Sequence, residues 1–227
     1  MIITQLYHDL VNFIFPPTCI VSNDRLPEFN TNRYIKDDIL NSLHVLSPLD
    51  RGQLSGKVIA DDAFAYFTLY PDSHMEKIIH HIKYSGMRRL GTLMGGILAS
   101  KITLDEKYDY IIPVPLHKVR IRERHYNQSD YISAGIGEVI GIEVLTKAVY
   151  RIRYTKSQTR LNRQQRIENV KGAFEINTDY FEKIKDKNLI VFDDIVTTGS
   201  TINEVIRILK ENGAGKILAV CLAMARD

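Results

Sequence analysis

The chain has 227 residues, 44% hydrophobic and 25% charged, which is usual for a globular protein with one sizeable core. Its formal charge of +3 is too small to indicate nucleic-acid binding by itself, and its two cysteines exclude a disulfide framework and a four-cysteine zinc site. No apolar run approaches the roughly 20 residues of a membrane-spanning helix. Polar residues interrupt Met1 to Phe15, unlike in a signal peptide, so we predict a cytoplasmic protein without membrane insertion.

The N-terminal part of the chain is predicted to form a small module. Apolar residues from Leu6 to Ile14 suit a short amphipathic helix that ends at Pro16 and Pro17. From Thr18 to about Lys57, turn-forming residues are scattered among short apolar patches, which favours irregular structure. We therefore predict an irregular module over residues 1–60 and a larger domain over residues 61–227.

Strands and helices are predicted to alternate through the larger domain. Short apolar runs predict strands, and apolar residues at helical spacing predict helices, with Gly95 and Gly96 allowing close helix packing. Such alternation is typical of an α/β fold, a mostly parallel sheet with helices on both faces that binds ligands at the carboxyl ends of its strands. In chain order the predicted elements are a strand at Ala63–Leu69, helices at Met75–Tyr84 and Leu90–Lys101, a strand at Tyr110–Val114, a basic loop, a helix at Ser129–Ile140, a strand near Glu143–Val149, a polar stretch at Arg151–Lys171, a strand at Asp186–Asp193, a helix at Thr201–Asn212 and a strand at Lys216–Ala223.

The most informative segment runs from Val191 to Thr201. Asp193 and Asp194 follow the apolar run Leu189 to Phe192 and are predicted to lie at the carboxyl end of a buried strand. The residues that follow offer hydroxyl and N–H groups at the start of a helix, whose positive end favours an anion. These residues are Thr197, Thr198, Gly199, Ser200 and Thr201. A ribose 5-phosphate group matches this order, because its hydroxyls donate to the acids while its phosphate occupies the loop.

Each half of this segment also has an ordinary structural explanation. Paired aspartates after a strand occur as a turn and helix cap, and Ser/Thr-Gly clusters are common in loops. Together, however, the halves resemble the ribose-phosphate motif of type I phosphoribosyltransferases, which bind phosphoribosyl pyrophosphate (PRPP). A Walker phosphate loop is excluded because no lysine follows Gly199, and no Gly-x-Gly-x-x-Gly fingerprint follows a strand.

Positive charge is concentrated in two segments, Lys118–Arg124 and Arg160–Arg166. Each is compatible with a site for an anionic ligand and with a solvated surface. The polar, arginine-rich stretch Thr155–Lys171 is as long as the loops that often serve as lids.

Five motifs, in order, resemble those of the ComF family of competence proteins, whose members carry a phosphoribosyltransferase domain. The resemblance covers about Asp61 to Asp227 and implies a type I phosphoribosyltransferase fold and a role in DNA uptake during natural transformation. The motifs are Lys83-Tyr84-Ser85-Gly86, Ile112–His117, Arg122–Gln128, the block Arg151–Phe174 with Thr155, Gln158, Arg163, Arg166 and Asn169, and the phosphate motif.

Two departures from the family pattern concern the site and the N-terminal module. His125 stands where the family has a glycine in a loop that binds pyrophosphate, and a side chain restricts that backbone. Family members usually carry paired Cys-x-x-Cys zinc ligands, of which only Cys19 remains, followed by Ser22. Zinc is therefore predicted to be absent, with Cys19 as a packed residue.

The resemblance implies roles for individual residues. Thr197, Thr198, Gly199, Ser200 and Thr201 are expected to hold the 5′-phosphate, while Asp193 and Asp194 accept from the ribose hydroxyls. Pyrophosphate is expected at Lys83, Arg122, Arg124 and His125, and the catalytic set is expected to comprise Asp193, Asp194, Arg163 and Arg166. Magnesium is the implied cofactor, bound by pyrophosphate and ribose oxygens with waters rather than by a protein metal cluster.

Three functions are compatible with these residues. The leading hypothesis is a PRPP-binding, magnesium-dependent phosphoribosyltransferase whose acceptor is unknown. The second is a non-catalytic adaptor that binds single-stranded DNA or DNA-processing proteins, which His125 and the missing zinc ligands favour. The third is a regulator that uses the site as an effector pocket. A homodimer is expected from the family alone.

Overall fold

The fold is built around a parallel sheet. The computed structural model describes residues 16–155 and 162–226. Its strands are β1 Asp62–Leu69, β2 Tyr110–Pro113, β3 Glu143–Val144, β4 Val149–Arg151, β5 Phe174–Ile176, β6 Leu189–Val196 and β7 Ile217–Ala225. Five of them form one parallel sheet in the order β1-β7-β6-β2-β3, while β4 and β5 form a separate antiparallel pair. The predicted α/β fold with a mostly parallel sheet is confirmed.

Helices cover both faces of this sheet. In the described ranges they are α1 Asp37–Asn41, α2 Pro48–Ser55, α3 His74–Tyr84, α4 Arg88–Ala99, α5 Lys118–Arg124, α6 Gln128–Ile140, α7 Arg163–Val170 and α8 Ser200–Glu211, with a 3₁₀ helix at Thr178–Lys183. None of these helices is long and apolar enough to cross a membrane.

Alternate residues of the central strand β6 enter two separate cores. Leu189 and Val191 pack in one core with the apolar side of α8, whereas Ile190 and Phe192 pack in the other with α3, α4 and α6. All four side chains are fully buried. A strand covered on both faces explains why its sequence reads as a continuous apolar run instead of an alternating one.

Helices α4 and α6 pack unusually closely because glycines lie at their contact. A Cβ atom on Gly95 would come within 2.0 Å of the carbonyl oxygen of Ile132. In the same way, a Cβ on Gly135 would come within 2.0 Å of the carbonyl oxygen of Thr92. The close approach predicted for the Gly95-Gly96 pair is thus found at Gly95, and it is matched by a second glycine across the interface.

Two predicted strands have different bounds in the structure. The strand predicted at Asp186–Asp193 begins only at Leu189, because Asp186 has a left-handed backbone with φ of 56°. It continues to Val196 because the long strand β7 pairs with it that far, so Asp193 and Asp194 lie inside the strand. The strand predicted near Glu143–Val149 is interrupted by a turn, after which the chain leaves the main sheet as β4.

The predicted basic loop is instead the short helix α5. His117 caps it, since its ring Nδ1 accepts the backbone N–H of Val119 at 3.3 Å. The helix ends at His125, whose φ of 66° lies in the left-handed region that favours glycine. The ComF pattern has glycine at this position, and here His125 adopts the left-handed backbone that glycine favours.

Residues 16–60 pack against the larger domain. Cys19, Ile35 and Leu43 belong to the core beneath α3 and α4, whereas Leu54 and Val58 belong to the core beneath α8. The buried Sγ of Cys19 accepts the backbone N–H of Lys36 at 3.5 Å. The helix predicted between Leu6 and Ile14 lies outside the described residues, and the boundary at residue 60 stays a prediction.

Candidate functional site

An open cavity of about 400 Å³ lies at the carboxyl ends of β2 and β6. Strand β2 pairs with β6 only as far as Phe192, whereas β7 pairs with β6 as far as Val196. Residues 193–196 therefore extend beyond β2, and Asp193 and Asp194 line the gap that is left. A parallel sheet is expected to bind its ligand at such an edge.

The loop between β6 and α8 forms a smaller concavity of about 40 Å³ that shares Asp193, Thr197 and Thr201 with the main cavity. Gly199 turns the chain into the helix with φ of 76°. Gly199 is the N-cap residue of α8. Because glycine has no side chain, it makes no side-chain hydrogen bond to the N–H groups of the first turn. The helix has 12 residues, and its positive end makes this concavity suitable for an anion.

Within the acid pair, Asp194 is held by groups from two helices. Its Oδ2 lies 2.6 Å from Nζ of Lys83 on α3 and accepts Nε2 of Gln128 on α6 at 3.2 Å. Its Oδ1 accepts the backbone N–H of Ile195 at 2.8 Å, and Oδ1 of Asp193 accepts the N–H of Asp194 at 2.9 Å. Both carboxylates are therefore oriented before any ligand binds.

The two acids differ in their readiness to ionise. Burial, and then the negative charge of Asp194, raises the pKa of Asp193 to about 8. Burial acts in the same direction on Asp194, but the positive charge and hydrogen bond of Lys83 hold its pKa below the ordinary value. At neutral pH the cavity therefore presents one ionised and one protonated carboxyl group, since neighbouring acids resist ionising together.

Arginine side chains also line the cavity. Arg124 donates to Gln128 Oε1 and to the Tyr84 hydroxyl, both at 3.1 Å, and lies over the ring of Tyr84. Arg151 donates to Thr155 Oγ1 at 2.5 Å. The Nε atoms of Arg124 and Arg151 are buried without a hydrogen-bond partner in the described part of the chain. Buried donors of this kind suit an anionic ligand, because leaving them unpaired is costly.

The structure brings together most of the residues predicted for the site. The main cavity is lined by Lys83, Arg124, Arg166, Asp193, Asp194, Thr197 and Thr201, and the smaller one also by Gly199 and Ser200. Thr198 lies beside them, with its Oγ1 donating to Ser200 Oγ at 3.2 Å. Arg122 and His125 are exposed and line neither cavity. The side chain of Arg163 and residues 156–161 of the predicted lid, Gln158 included, lie outside the described residues.

Several cavity residues were missing from the predicted site, and one of them had a detectable signal. Arg120 lines the cavity with Arg124, from which it is separated by one helical turn. Because residues four apart share a helix face, a helical interpretation of Lys118–Arg124 would have selected Arg120 and Arg124 and left Arg122 on the outside. Arg151 stood in the family motif without a predicted role. The other missed cavity residues include His117, Gln128 and Tyr154.

The chain is similar to known proteins in both sequence and fold. The family model for the phosphoribosyl transferase domain matches residues 85–227. DNA utilization protein YhgH of Shigella flexneri is 30% identical over 154 residues, covering 65% of this chain and 66% of that protein. Competence protein F of Haemophilus influenzae is 36% identical over 115 residues, covering 51% of this chain and 50% of that protein.

A solved structure titled as the allosteric regulatory enzyme of purine biosynthesis is 17% identical and covers 63% of this chain and 30% of that one. Its TM-score is 0.44. The resemblance to the ComF family seen in the sequence motifs is confirmed by the match to competence protein F. The family model matches more than half of this chain, and the chain therefore belongs to the phosphoribosyl transferase domain family.

Proposed function

We propose that this protein binds PRPP with magnesium and transfers its phosphoribosyl group to an acceptor that is still to be identified. The observation that carries the proposal is the adjacency of three parts: the loop at the start of α8, the acid pair, and the arginine-lined wall. A ligand with a terminal phosphate, a ribose and a pyrophosphate has matching groups in the same order.

The 5′-phosphate would bind in the loop Thr197–Thr201. N–H groups at the positive end of α8, where Gly199 supplies no side-chain cap, can donate to the phosphate, and the hydroxyls of Thr198 and Ser200 are already close together at 3.2 Å. Fixing this end of the substrate orients the ribose over the acids, which lowers the entropic cost of reaching the transition state.

The acid pair would hold the ribose. Asp194 is kept ionised by Lys83 and accepts hydrogen bonds from ribose hydroxyls, while Asp193, with its raised pKa, either donates or accepts. During transfer, the bond from ribose C1 to pyrophosphate breaks with its electron pair leaving on the pyrophosphate oxygen, and the acceptor nucleophile forms the new bond to C1. The negative charge of Asp194 stabilises the positive charge that develops on the ribose.

The pyrophosphate would lie against the cationic wall formed by Lys83, Arg120, Arg124, Arg151 and Arg166. Guanidinium groups suit this role because their planar fork makes two parallel hydrogen bonds to phosphate oxygens. Arg122 and His125, which were also predicted for this role, lie outside the cavity, and the charge of Arg122 would contribute through the wider electrostatic field. Arg163 remains a candidate from the sequence.

The donors at the cavity fit a magnesium ion. Asp194, which is ionised, offers a hard carboxylate oxygen beside the proposed ribose position, the kind of donor that magnesium prefers. Magnesium usually takes few protein ligands and completes its coordination with phosphate oxygens and water, which agrees with this sparse set. When bound, the ion would neutralise charge on the leaving pyrophosphate.

Isothermal calorimetry with PRPP tests the proposal. We expect magnesium-dependent binding that the Asp193→Asn, Asp194→Asn double variant loses. The matched control is Asp105→Asn with Asp179→Asn, which removes two exposed carboxylates elsewhere and should bind as the wild type does. A folded wild-type protein that fails to bind PRPP with magnesium would overturn the proposal.

A role in DNA uptake is the second part of the proposal, and it rests on the names of the relatives, DNA utilization protein and competence protein F. Lys118 and Arg122 on the exposed side of α5 offer positive charge outside the cavity, which favours contact with single-stranded DNA or a DNA-processing partner. In a non-catalytic adaptor, salt-dependent DNA binding would survive the Asp193→Asn, Asp194→Asn substitutions. In an enzyme without this second surface, DNA binding would be absent.

A further inference from the structure

Residues 57–61, which we name the strap, run beside α8 and join helix α2 to strand β1. The strap is fixed at its start, where the N–H groups of Lys57 and Val58 donate to the carbonyl of Leu54 at 2.9 and 3.2 Å. It is fixed at its end by Asp61, whose Oδ2 accepts Nζ of Lys210 and the N–H of Ile217 at 2.6 and 2.7 Å. The strap precedes residues 85–227 that the family model matches.

Asn203 in the first turn of α8 joins the strap to the proposed phosphate loop. Its Nδ2 donates to the carbonyl of Lys57 at 2.8 Å, and its Oδ1 accepts the N–H of Ile59 at 3.0 Å. Its own N–H donates to the carbonyl of Gly199 at 2.9 Å. One residue thus makes both hydrogen bonds of its amide with the strap and a third hydrogen bond with the loop.

The strap also touches the loop directly. A Cβ atom on Gly199 would lie 2.3 Å from the carbonyl oxygen of Lys57, so this carbonyl lies against the turn and only glycine fits between them. The turn of the proposed phosphate loop is therefore enclosed by the strap on one side and by α8 on the other.

We propose that the strap supports the proposed 5′-phosphate loop from outside the site and that Asn203 is a positioning residue for phosphate binding. Asn203 lines neither cavity, so it acts through the loop that it holds and makes no contact with the ligand itself. A loop fixed before binding loses less conformational freedom when the phosphate arrives, which increases affinity. This inference rests on the proposed function, because it assumes that the loop receives a phosphate.

The test compares two asparagine-to-alanine variants on one helix. Asn203→Ala removes both hydrogen bonds to the strap, whereas the control Asn212→Ala removes the hydrogen bond from Asn212 Nδ2 to Ile208 O, 2.8 Å long, at the far end of α8. For Asn203→Ala, losing two hydrogen bonds should weaken binding of PRPP and of ribose 5-phosphate about tenfold. For Asn212→Ala, binding should stay within about twofold of the wild type, because its hydrogen bond lies away from the loop.

Hydrogen exchange in the ligand-free protein provides an independent readout. We expect the amides of the first turn of α8 and of Ile59 to exchange faster in Asn203→Ala but not in Asn212→Ala, since local opening follows the loss of local contacts. Asn203→Asp keeps an acceptor for Ile59 N–H, loses the donor to Lys57 and adds a negative charge near the loop, so the Ile59 amide should stay better protected than in Asn203→Ala while PRPP affinity falls at least as far.

The outcomes separate this inference from the proposed function. If the wild type binds PRPP and Asn203→Ala binds it equally well, the inference is overturned while the proposed function stands. If the wild type binds no PRPP, the proposed function fails, and the inference that Asn203 positions the phosphate site fails with it, even where hydrogen exchange shows that Asn203 holds the strap to the loop. Equal exchange rates in the two alanine variants would show that Asn203 does not hold the strap to the loop, which would overturn the inference.

Discussion

The ammonium group of Lys83 lies 2.6 Å from the carboxylate of Asp194, and both side chains are largely buried. The pair joins the end of α3 to strand β6 at the lining of the cavity, and it decides which of the two neighbouring acids is ionised. Because Lys83 favours the charged form of Asp194, Asp193 is left as the acid with the raised pKa.

Lys83→Met should lower the free energy of unfolding by about 3 kcal/mol at pH 7, because it leaves a buried carboxylate without its partner. The folded-state pKa of Asp194 lies below the unfolded value, so the stabilisation is present above about pH 4 and is lost as the pH falls further. Urea unfolding at pH 7 and pH 3 measures the effect. The control Lys77→Met removes an exposed lysine of α3 and should change stability little at either pH. If Lys83→Met lowers the free energy of unfolding equally at pH 7 and pH 3, the ion-pair explanation is contradicted.

Asp193→Asn should stabilise the protein at high pH while it weakens PRPP binding. The folded-state pKa of Asp193 is about 8, above the unfolded value, so its favourable contribution is complete below about pH 4 and is lost as the pH rises through 8. The neutral asparagine avoids this loss, and we expect its stability relative to the wild type to rise by several kcal/mol between pH 4 and pH 9. Urea unfolding curves of Asp193→Asn and the wild type at pH 4 and pH 9 test the sign of this stability difference. Asp105→Asn, which changes an exposed aspartate, is the control. If the stability gain of Asp193→Asn does not increase with pH, Asp193 does not have a raised pKa in the folded protein.

Gly95→Ala should destabilise the protein by at least about 3 kcal/mol, since a Cβ there would come within 2.0 Å of a backbone carbonyl of α6 and the helices would have to separate. Gly96→Ala is the matched control, because the nearest atom to a Cβ at that position is 3.7 Å away. Alanine is a better helix former than glycine, so Gly96→Ala should be neutral or stabilising by up to about 1 kcal/mol. Thermal unfolding of both variants measures the difference, and similar losses in the two would show that the helix contact is not responsible.

His125→Gly should raise the free energy of unfolding by about 0.5–1 kcal/mol. His125 has φ of 66°, a backbone conformation that is strained for any residue with a side chain, and glycine would relieve this strain. Glycine also has more conformational freedom in the unfolded chain, which offsets part of the gain. Denaturant unfolding of His125→Gly and His125→Ala distinguishes the effect of backbone strain from the effect of losing the imidazole. Alanine retains the strain, so His125→Ala should not stabilise the protein. Equal free energies of unfolding for His125→Gly and His125→Ala would contradict the explanation by backbone strain.

The amino-acid sequence determined the fold class and the proposed phosphate loop, because both depend on short-range patterns. Apolar runs bounded by turns predict buried strands, and the order Asp193-Asp194 to Thr201 brings acids, hydroxyls and glycine together within nine residues. The sequence also contained the helical spacing of Arg120 and Arg124, although the segment was first interpreted as a loop.

Only the tertiary structure decided the contacts between distant residues. Strand β6 extends past its acids because β7 continues to pair with it, and that pairing depends on a strand that follows later in the chain. Lys83 meets Asp194, and Asn203 meets Lys57, through the crossing of elements that are more than 100 residues apart in sequence. No local pattern encodes such contacts, since each side chain alone is also compatible with a solvated surface, and the packing of helices on the sheet selects the partner.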